Sequence, residues 1–218
     1  MTLQRTPRWL LFLERKMGWL SIPNLGVIFV TLQGMGFFAS MTQPGFEEVL
    51  ILDPTRVMAG EVWRLFTFLA VPISRSAFWV IFVLFFLYFI LQMIEAQWGA
   101  FRTTFYVLFS MVVTWTFSLV TGYPVVEASN FESTLFLAAA SLFPEMEVQL
   151  FFFIPVKMKY LAALTGVMAG INFVQGGLYD RIYLLCVYSG FLLFFGPAMV
   201  ESIRLRIRRA RYKKRMDD

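Results

Sequence analysis

The sequence contains no histidine among 218 residues and only one cysteine, Cys186. Without histidine there is no imidazole for a Ser-His or Cys-His pair, for acid–base chemistry near neutral pH, or for a metal. A single cysteine forms no internal disulfide and no thiolate cluster, so we interpret Cys186 as a small core residue. Glycine-rich phosphate loops and nucleotide motifs are also missing, and no metal or other cofactor is expected.

Charge is scarce as well. Charged residues make up 15% of the chain and hydrophobic residues 59%, whereas a soluble domain carries about 25% and roughly 45–50%. A hydrocarbon core of about 30 Å needs a span of about 20 apolar residues. The sequence therefore predicts an all-α polytopic membrane protein with six spans and a long membrane-associated first loop over 42–75. The predicted spans are 22–41, 77–94, 103–120, 129–143, 160–175 and 182–200, the fourth being short for a crossing.

Three shorter stretches flank these spans or interrupt them. Residues 1–21 alternate apolar and basic positions and predict an amphipathic interfacial helix. Residues 148–156 are apolar and predict an interfacial re-entry before the fifth span. The sixth span is expected to end at Gly196-Pro197, and a basic tail follows over 201–218. We thus divide the chain into residues 1–21, a membrane domain over 22–200 and the tail.

The basic residues predict the orientation. With both termini on one side, fifteen of the nineteen lysines and arginines lie on that side. The positive-inside rule then places both termini in the cytoplasm and requires an even number of spans. The net charge of +5 is accordingly interpreted as a topology signal rather than a nucleic-acid footprint. The tail is expected to bind anionic headgroups; docking of a cytosolic or membrane partner on residues 204–218 is the alternative.

Three features indicate how the spans and the first loop are held. Gly166 and Gly170 have a small-xxx-small spacing, which predicts close packing of the fifth span against another helix. Arg64, beside Trp63 in an apolar loop, is expected to donate to backbone carbonyls that lipid leaves unpaired. Glu95 is expected to accept hydrogen bonds from the turn that follows it. Each of these roles is structural.

Three motifs, in order along the chain, resemble the rhomboid superfamily of intramembrane serine proteases. Residues 60–67 read G-E-V-W-R-L-F-T, similar to the family's G-E-x-W-R-L-x-T. Residues 95–99 read E-A-Q-W-G, similar to the turn between family helices two and three. Residues 151–161 read F-F-F-I-P-V-K-M-K-Y-L, like the turn between helices four and five. The positions that match the motifs are Glu61, Trp63, Arg64, Glu95, Gly99 and Arg102.

The catalytic pattern of the family is not matched. The resemblance puts the nucleophile at Ser129, without the flanking glycines of the family's G-x-S-G. Its H-x-x-x-N pair falls on Trp79 and Val83, and its helix-six histidine falls on or near Val187. A serine hydroxyl needs a base and an oxyanion donor to react at a useful rate. The resemblance therefore implies a catalytically inactive relative, a pseudoprotease, with a degenerate site.

Other chemistries are less well supported by the residues. The lysines are expected on the opposite side of the membrane from Ser129, and Glu127 and Glu132 are interpreted as solvated carboxylates and hence poor bases. Ser129 itself is interpreted as a helix N-cap. The Tyr179-Asp180 pair is assigned to a loop. The polar positions inside spans (Gln33, Gln92 and Asn172) are explained as interhelical hydrogen-bonding residues.

By resemblance we expect a pseudoprotease that binds transmembrane helices or membrane proteins, here called clients, without cleaving them. Such binding would bias the folding, assembly or degradation of the client. Two alternatives stay open: an intramembrane serine protease with an unconventional site at Ser129, and a structural subunit of a larger membrane complex. A chain of this size is expected in a prokaryotic inner membrane.

Overall fold

Helices dominate the structure. The computed structural model describes residues 8–150 and 154–217, so Arg5 of the N-terminal segment, Phe151–Phe153 of the third motif and Asp218 lie outside the described residues. The described helices are α1 (Arg8–Met17), α2 (Leu25–Thr42), α3 (Glu47–Leu50), α4 (Pro54–Met58), α5 (Arg64–Thr67), α6 (Ala77–Trp98), α7 (Ala100–Thr121), α8 (Ser129–Leu142), α9 (Met158–Gln175) and α10 (Leu178–Asp217).

Four of the described helices are long and apolar enough to cross a membrane: α2, α6, α7 and the segment Leu178–Pro197 of α10. The membrane class predicted from the sequence agrees with this finding. The helix α8 has 14 residues, or about 21 Å at 1.5 Å per residue, which is shorter than the hydrocarbon core. The helix α9 is not among these four, because it contains the polar residues Lys159, Asn172 and Gln175. A total of six spans stays a prediction.

The short helix α8 lies at the centre of the bundle and packs against α6, α9 and α10. Phe131, Leu135, Ala138 and Ala139 have no exposed surface. Alanines on two successive positions let neighbouring helices approach closely, because a methyl group adds little to the width of a helix. The centre of the protein is therefore a helix too short for a crossing, surrounded by longer ones.

An aromatic cluster closes the core at the far end of α6. The indole of Trp98 lies 4.9 Å from the ring of Phe195 and 6.2 Å from that of Tyr106, centroid to centroid. Phe194 completes the cluster, 5.5 Å from Tyr106. Edge-to-face aromatic pairs at such distances stabilise a fold beyond the area they bury. The cluster joins α6, α7 and α10.

Two helix ends differ from the prediction. The sixth predicted span was expected to stop at Gly196-Pro197, but α10 continues through Pro197 to Asp217 as one helix of 40 residues. A proline inside a helix removes one backbone hydrogen bond without always ending the helix. Likewise Asp180, assigned to a loop, belongs to the first turn of α10.

A β-hairpin replaces the predicted interfacial re-entry at 148–156. Strand β1 (Glu147–Leu150) pairs antiparallel with β2 (Ile154–Lys157), with Glu147 opposite Lys157. The run combines β-branched residues with alternating polar positions, which favours strands over a helix. The hairpin is a local departure from a structure that is otherwise mostly helical.

Candidate functional site

The first loop is held by a buried arginine. Arg64 has no exposed surface; its Nη1 donates to the carbonyls of Glu48 at 2.7 Å and Ile51 at 3.0 Å. Its Nε donates to the Glu61 carboxylate at 2.6 Å. The contact with backbone carbonyls is the one expected from the sequence. One guanidinium thus connects three parts of the loop.

The neighbouring Trp63 does not share this burial. Its side chain is 49% exposed, so Trp63 is not a buried anchor of the first loop. A tryptophan that the sequence analysis missed makes the connection instead: Trp115 of α7 donates from Nε1 to the Leu65 carbonyl at 2.6 Å. Trp115 lies in a predicted span between Thr114 and Thr116, and no local pattern distinguishes it from a lipid-facing residue.

Glu95 has a different partner from the one predicted. Its carboxylate accepts from the backbone amides of Asn24 at 2.9 Å and Leu25 at 3.3 Å, at the start of α2. Among the described residues the turn that follows gives the carboxylate no donor; there the backbone carbonyl of Glu95 accepts from the Gly99 amide at 2.8 Å. A helix N-terminus leaves its first amides without intrahelical partners, and a carboxylate satisfies them with favourable charge. Glu95 is therefore a cap supplied by α6 to α2.

The rest of the second motif forms the turn between α6 and α7. Gly99 has φ = +91°, a left-handed conformation that residues with a Cβ rarely adopt. Arg102, three residues on, pairs with Glu14 of α1 at 2.9 Å. The amphipathic helix α1 is thereby attached to the end of α7, and Leu10 of α1 is fully buried.

Ser129, the position of the family nucleophile, is the first residue of α8. Its Oγ donates to the Glu127 carboxylate at 2.8 Å. The N-cap is Ala128, and the Ser129 hydroxyl makes no capping hydrogen bond. The interpretation of Ser129 as an N-cap is wrong, because the helix begins one residue earlier than the cap role requires.

The other three degenerate positions carry no hydrogen-bonding side chain except the indole of Trp79. Trp79, on the first turn of α6, is 44% exposed, and its ring lies 5.9 Å from Phe78 and 6.2 Å from Phe82. Val187 of α10 is fully buried in the core. Val83, one turn after Trp79, lines a small cavity. Since α8 packs against both α6 and α10, hydrophobic side chains occupy the helices that flank Ser129.

A buried polar pair lies close to these positions. Gln33 of α2, 4% exposed, donates from Nε2 to the Glu132 carboxylate of α8. Beside the pair, the ring of Phe29 stacks on that of Phe131 at 6.1 Å. Glu132 was interpreted as a solvated carboxylate; it is in fact partly buried, because α8 starts inside the bundle and turns this residue towards α2.

One member of the pair, Gln33, lines the small cavity. Its walls come from α2, from the segment before α6 and from the first turns of α6, and the lining residues are Gln33, Pro72, Ile73, Ser74, Val80 and Val83. Gln33 thus faces Glu132 and lines the cavity. The sequence singled out Gln33 as a polar residue within a span; it gave no sign of the partner, 99 positions away.

The glycines with a predicted packing role are not packed. A Cβ added to Gly166 or Gly170 would meet nothing within 4 Å, among the described residues. Both lie on an exposed face of α9. The close approach occurs at Gly36 of α2, where an added Cβ would lie 2.0 Å from the Ala70 carbonyl oxygen. Motif spacing does not show which face of a helix turns inward.

Two polar clusters lie in the connections. The Tyr123 hydroxyl donates to Asp180 at 2.6 Å, and this hydrogen bond raises the pKa of Tyr123 to about 12. Glu145 accepts from Lys159 at 2.7 Å and from Lys157 at 3.1 Å. Those two hydrogen bonds, the one with Lys159 foremost, lower the pKa of the Glu145 carboxyl.

These features define a predominantly helical protein whose longest helices are fit to cross a membrane, with a buried polar pair beside a short central helix. No family model matches the sequence, and no curated protein matches it.

Proposed function

We propose that this chain is a rhomboid-like pseudoprotease that binds transmembrane clients laterally and does not cleave them. Its place would be a prokaryotic inner membrane with both termini in the cytoplasm. Binding would bias the folding, assembly or degradation of the client. The proposal rests on the motif resemblance together with the arrangement of α6, α8 and α9.

The observation that carries the proposal is the exposed face of α9. Among the described residues of this helix, only Met158 is fully buried. The face includes both glycines and a run of large apolar residues, namely Leu164, Val167, Met168, Ile171 and Val174. A glycine-containing apolar face lets the backbone of a second helix approach closely in lipid.

The short α8 favours lateral entry between α6 and α9. It packs against both helices, and its 14 residues leave it about 9 Å shorter than the hydrocarbon core. A bilayer around such a mismatch thins locally, and polar positions of a client span become accessible. At the start of α6, Phe78 and Ile81 are exposed on the other flank.

The surroundings of Ser129 support binding rather than cleavage. Its hydrogen-bond partner is the carboxylate of Glu127, and a carboxylate is a weak base for an alcohol. Both lysines described in the β2–α9 region, Lys157 and Lys159, are paired with Glu145. A serine hydroxyl without a matched base reacts slowly.

Photocrosslinking from α6 and α9 tests the proposal. A photoreactive residue at position 79 or 172 is expected to capture membrane proteins or transmembrane peptides in the native membrane. The control is the same residue at Val112, a partly exposed position of α7. Capture of lipid alone from positions 79 and 172, or equal protein capture from 112, would refute lateral client binding.

A further inference from the structure

The Glu132–Gln33 pair involves α2, a helix long and apolar enough to cross a membrane. Gln33 is the ninth of the 18 residues of α2, which places it at the middle of that span. Glu132 contacts it from the first turn of α8. An ionisable side chain at mid-depth is costly and is typically retained for a function.

The carboxylate lacks a cationic partner. Among the described residues, Gln33 Nε2 is its one hydrogen-bond donor, and no ion pair includes Glu132. A neutral amide offsets only part of the cost of removing a charge from water. The pair therefore has unused capacity to accept a further hydrogen bond, since a carboxylate offers about four acceptor positions.

The pair lies beside the first turns of α6. Gln33 lines the cavity with Val80 and Val83, one and two turns into α6, and Glu132 keeps part of its surface exposed. The neighbouring Phe78 and Trp79 are exposed on the outside of the same helix end. The cavity walls apart from Gln33 and Ser74 are apolar, so few polar side chains compete with Glu132 and Gln33 for a donor on this side.

We infer that Glu132, with Gln33, is a receptor for a basic side chain in the span of a client. This inference rests on the proposed function and narrows it to clients with a lysine or arginine near mid-span. A cation in lipid and an uncompensated carboxylate are each unfavourable alone, and a charge-assisted hydrogen bond between them relieves both. The charge of Glu132 selects the client, while the apolar faces of α6 and α9 bind the rest of its helix.

Model peptides test this selection. The full-length protein, with the photoreactive residue at position 79, is reconstituted in phosphatidylcholine vesicles with polyleucine transmembrane peptides. The peptides differ only in their central residue, which is leucine, lysine or glutamate. We expect crosslinking of the lysine peptide to exceed that of the leucine peptide by roughly three- to tenfold, the range of an interhelical hydrogen bond in lipid. The glutamate peptide should be captured least.

Variants of the two carboxylates identify the source of the preference. Glu132→Gln keeps an acceptor for Gln33 and removes the charge, so the lysine preference should disappear while capture of the leucine peptide persists. Glu127→Gln, at the exposed neighbour of Ser129, is the matched control and should keep the preference. A preference that survives Glu132→Gln, or equal capture of lysine and leucine peptides by the unmodified protein, would overturn the inference and leave client binding intact. Failure to capture any peptide would instead overturn the proposed function.

Discussion

Arg64 shows how one residue determines the shape of an irregular segment. Three groups of the loop are connected through a side chain that is wholly removed from solvent. Replacing such a residue leaves carbonyls without donors and the carboxylate of Glu61 without its cation. A buried polar group that loses its partner lowers the free energy of unfolding by more than the hydrogen bond itself contributed.

Arg64→Ala is expected to destabilise the protein by about 3 kcal/mol, the range for breaking a buried ion pair. The stability of Arg64→Lys should lie between that of the unmodified protein and that of Arg64→Ala. A lysine ammonium keeps the charge but cannot reproduce the forked donor geometry of the guanidinium. Thermal unfolding in detergent measures both. Arg56→Ala, in the same loop but half-exposed, serves as control and should change stability by less than about 0.5 kcal/mol. Equal effects at positions 56 and 64 would contradict the anchoring role.

Substitutions at the glycines of α2 and α9 show whether a glycine is needed for close packing or only matches a motif spacing. Gly36→Ala should destabilise by about 1–3 kcal/mol, because its methyl group would overlap the Ala70 carbonyl and force a backbone shift. Gly166→Ala and Gly170→Ala should leave stability unchanged or raise it by up to about 1 kcal/mol through helix propensity. The measurement is the unfolding midpoint of the purified protein without client. A loss at 166 or 170 as large as that at 36 would show that α9 packs through this face.

At the scale of elements, the hairpin and its following helix are joined by charge. Glu145 precedes β1, and the two lysines lie at the β2–α9 junction. The pKa of Glu145 is lowered in the folded protein and that of Lys157 is raised by the same carboxylate. Both shifts mean that the charged pair favours the folded state.

The pH dependence of this cluster follows from the shift of Glu145. A carboxyl whose pKa is lowered on folding adds stability above its unfolded pKa of about 4.3, and the contribution is lost as pH falls through the folded pKa. The unmodified protein should therefore be more stable than Glu145→Gln at pH 7, and the difference should be smaller at pH 4, below the unfolded pKa. Unfolding midpoints at both pH values measure it. A difference that does not depend on pH would contradict the charge-pair explanation.

Elements with a strong periodic or compositional signal could be predicted, and those determined by distant contacts could not. The four long helices lie near their predicted positions because an apolar run of about 20 residues has few alternatives. The hairpin was missed because apolar composition alone does not separate a strand from an interfacial segment. The cap of α2 by Glu95 was misassigned because its partner is 71 residues away, and Glu132 could not be linked to Gln33 for the same reason.

At the scale of the whole molecule, the question is whether the bundle retains any hydrolytic chemistry. The sequence contains no histidine, so Ser129 has no imidazole partner. Its hydroxyl donates to Glu127 instead, and positions 83 and 187 are hydrophobic. A serine-directed fluorophosphonate should therefore label the protein no faster than Ser129→Ala. Intact-mass analysis of the labelled protein gives the readout. Labelling that Ser129→Ala abolishes would favour the serine protease alternative.

The cap on α2 also imposes an order on biosynthesis. Glu95 is translated 71 residues after Asn24, which at about 5–20 residues per second is a delay of roughly 4 to 14 seconds. During that interval the first span has emerged from the ribosome, but the backbone amides at its start do not yet have the Glu95 carboxylate as a hydrogen-bond acceptor. The contact between the start of α2 and the end of α6 therefore forms only after the end of α6 has been synthesised.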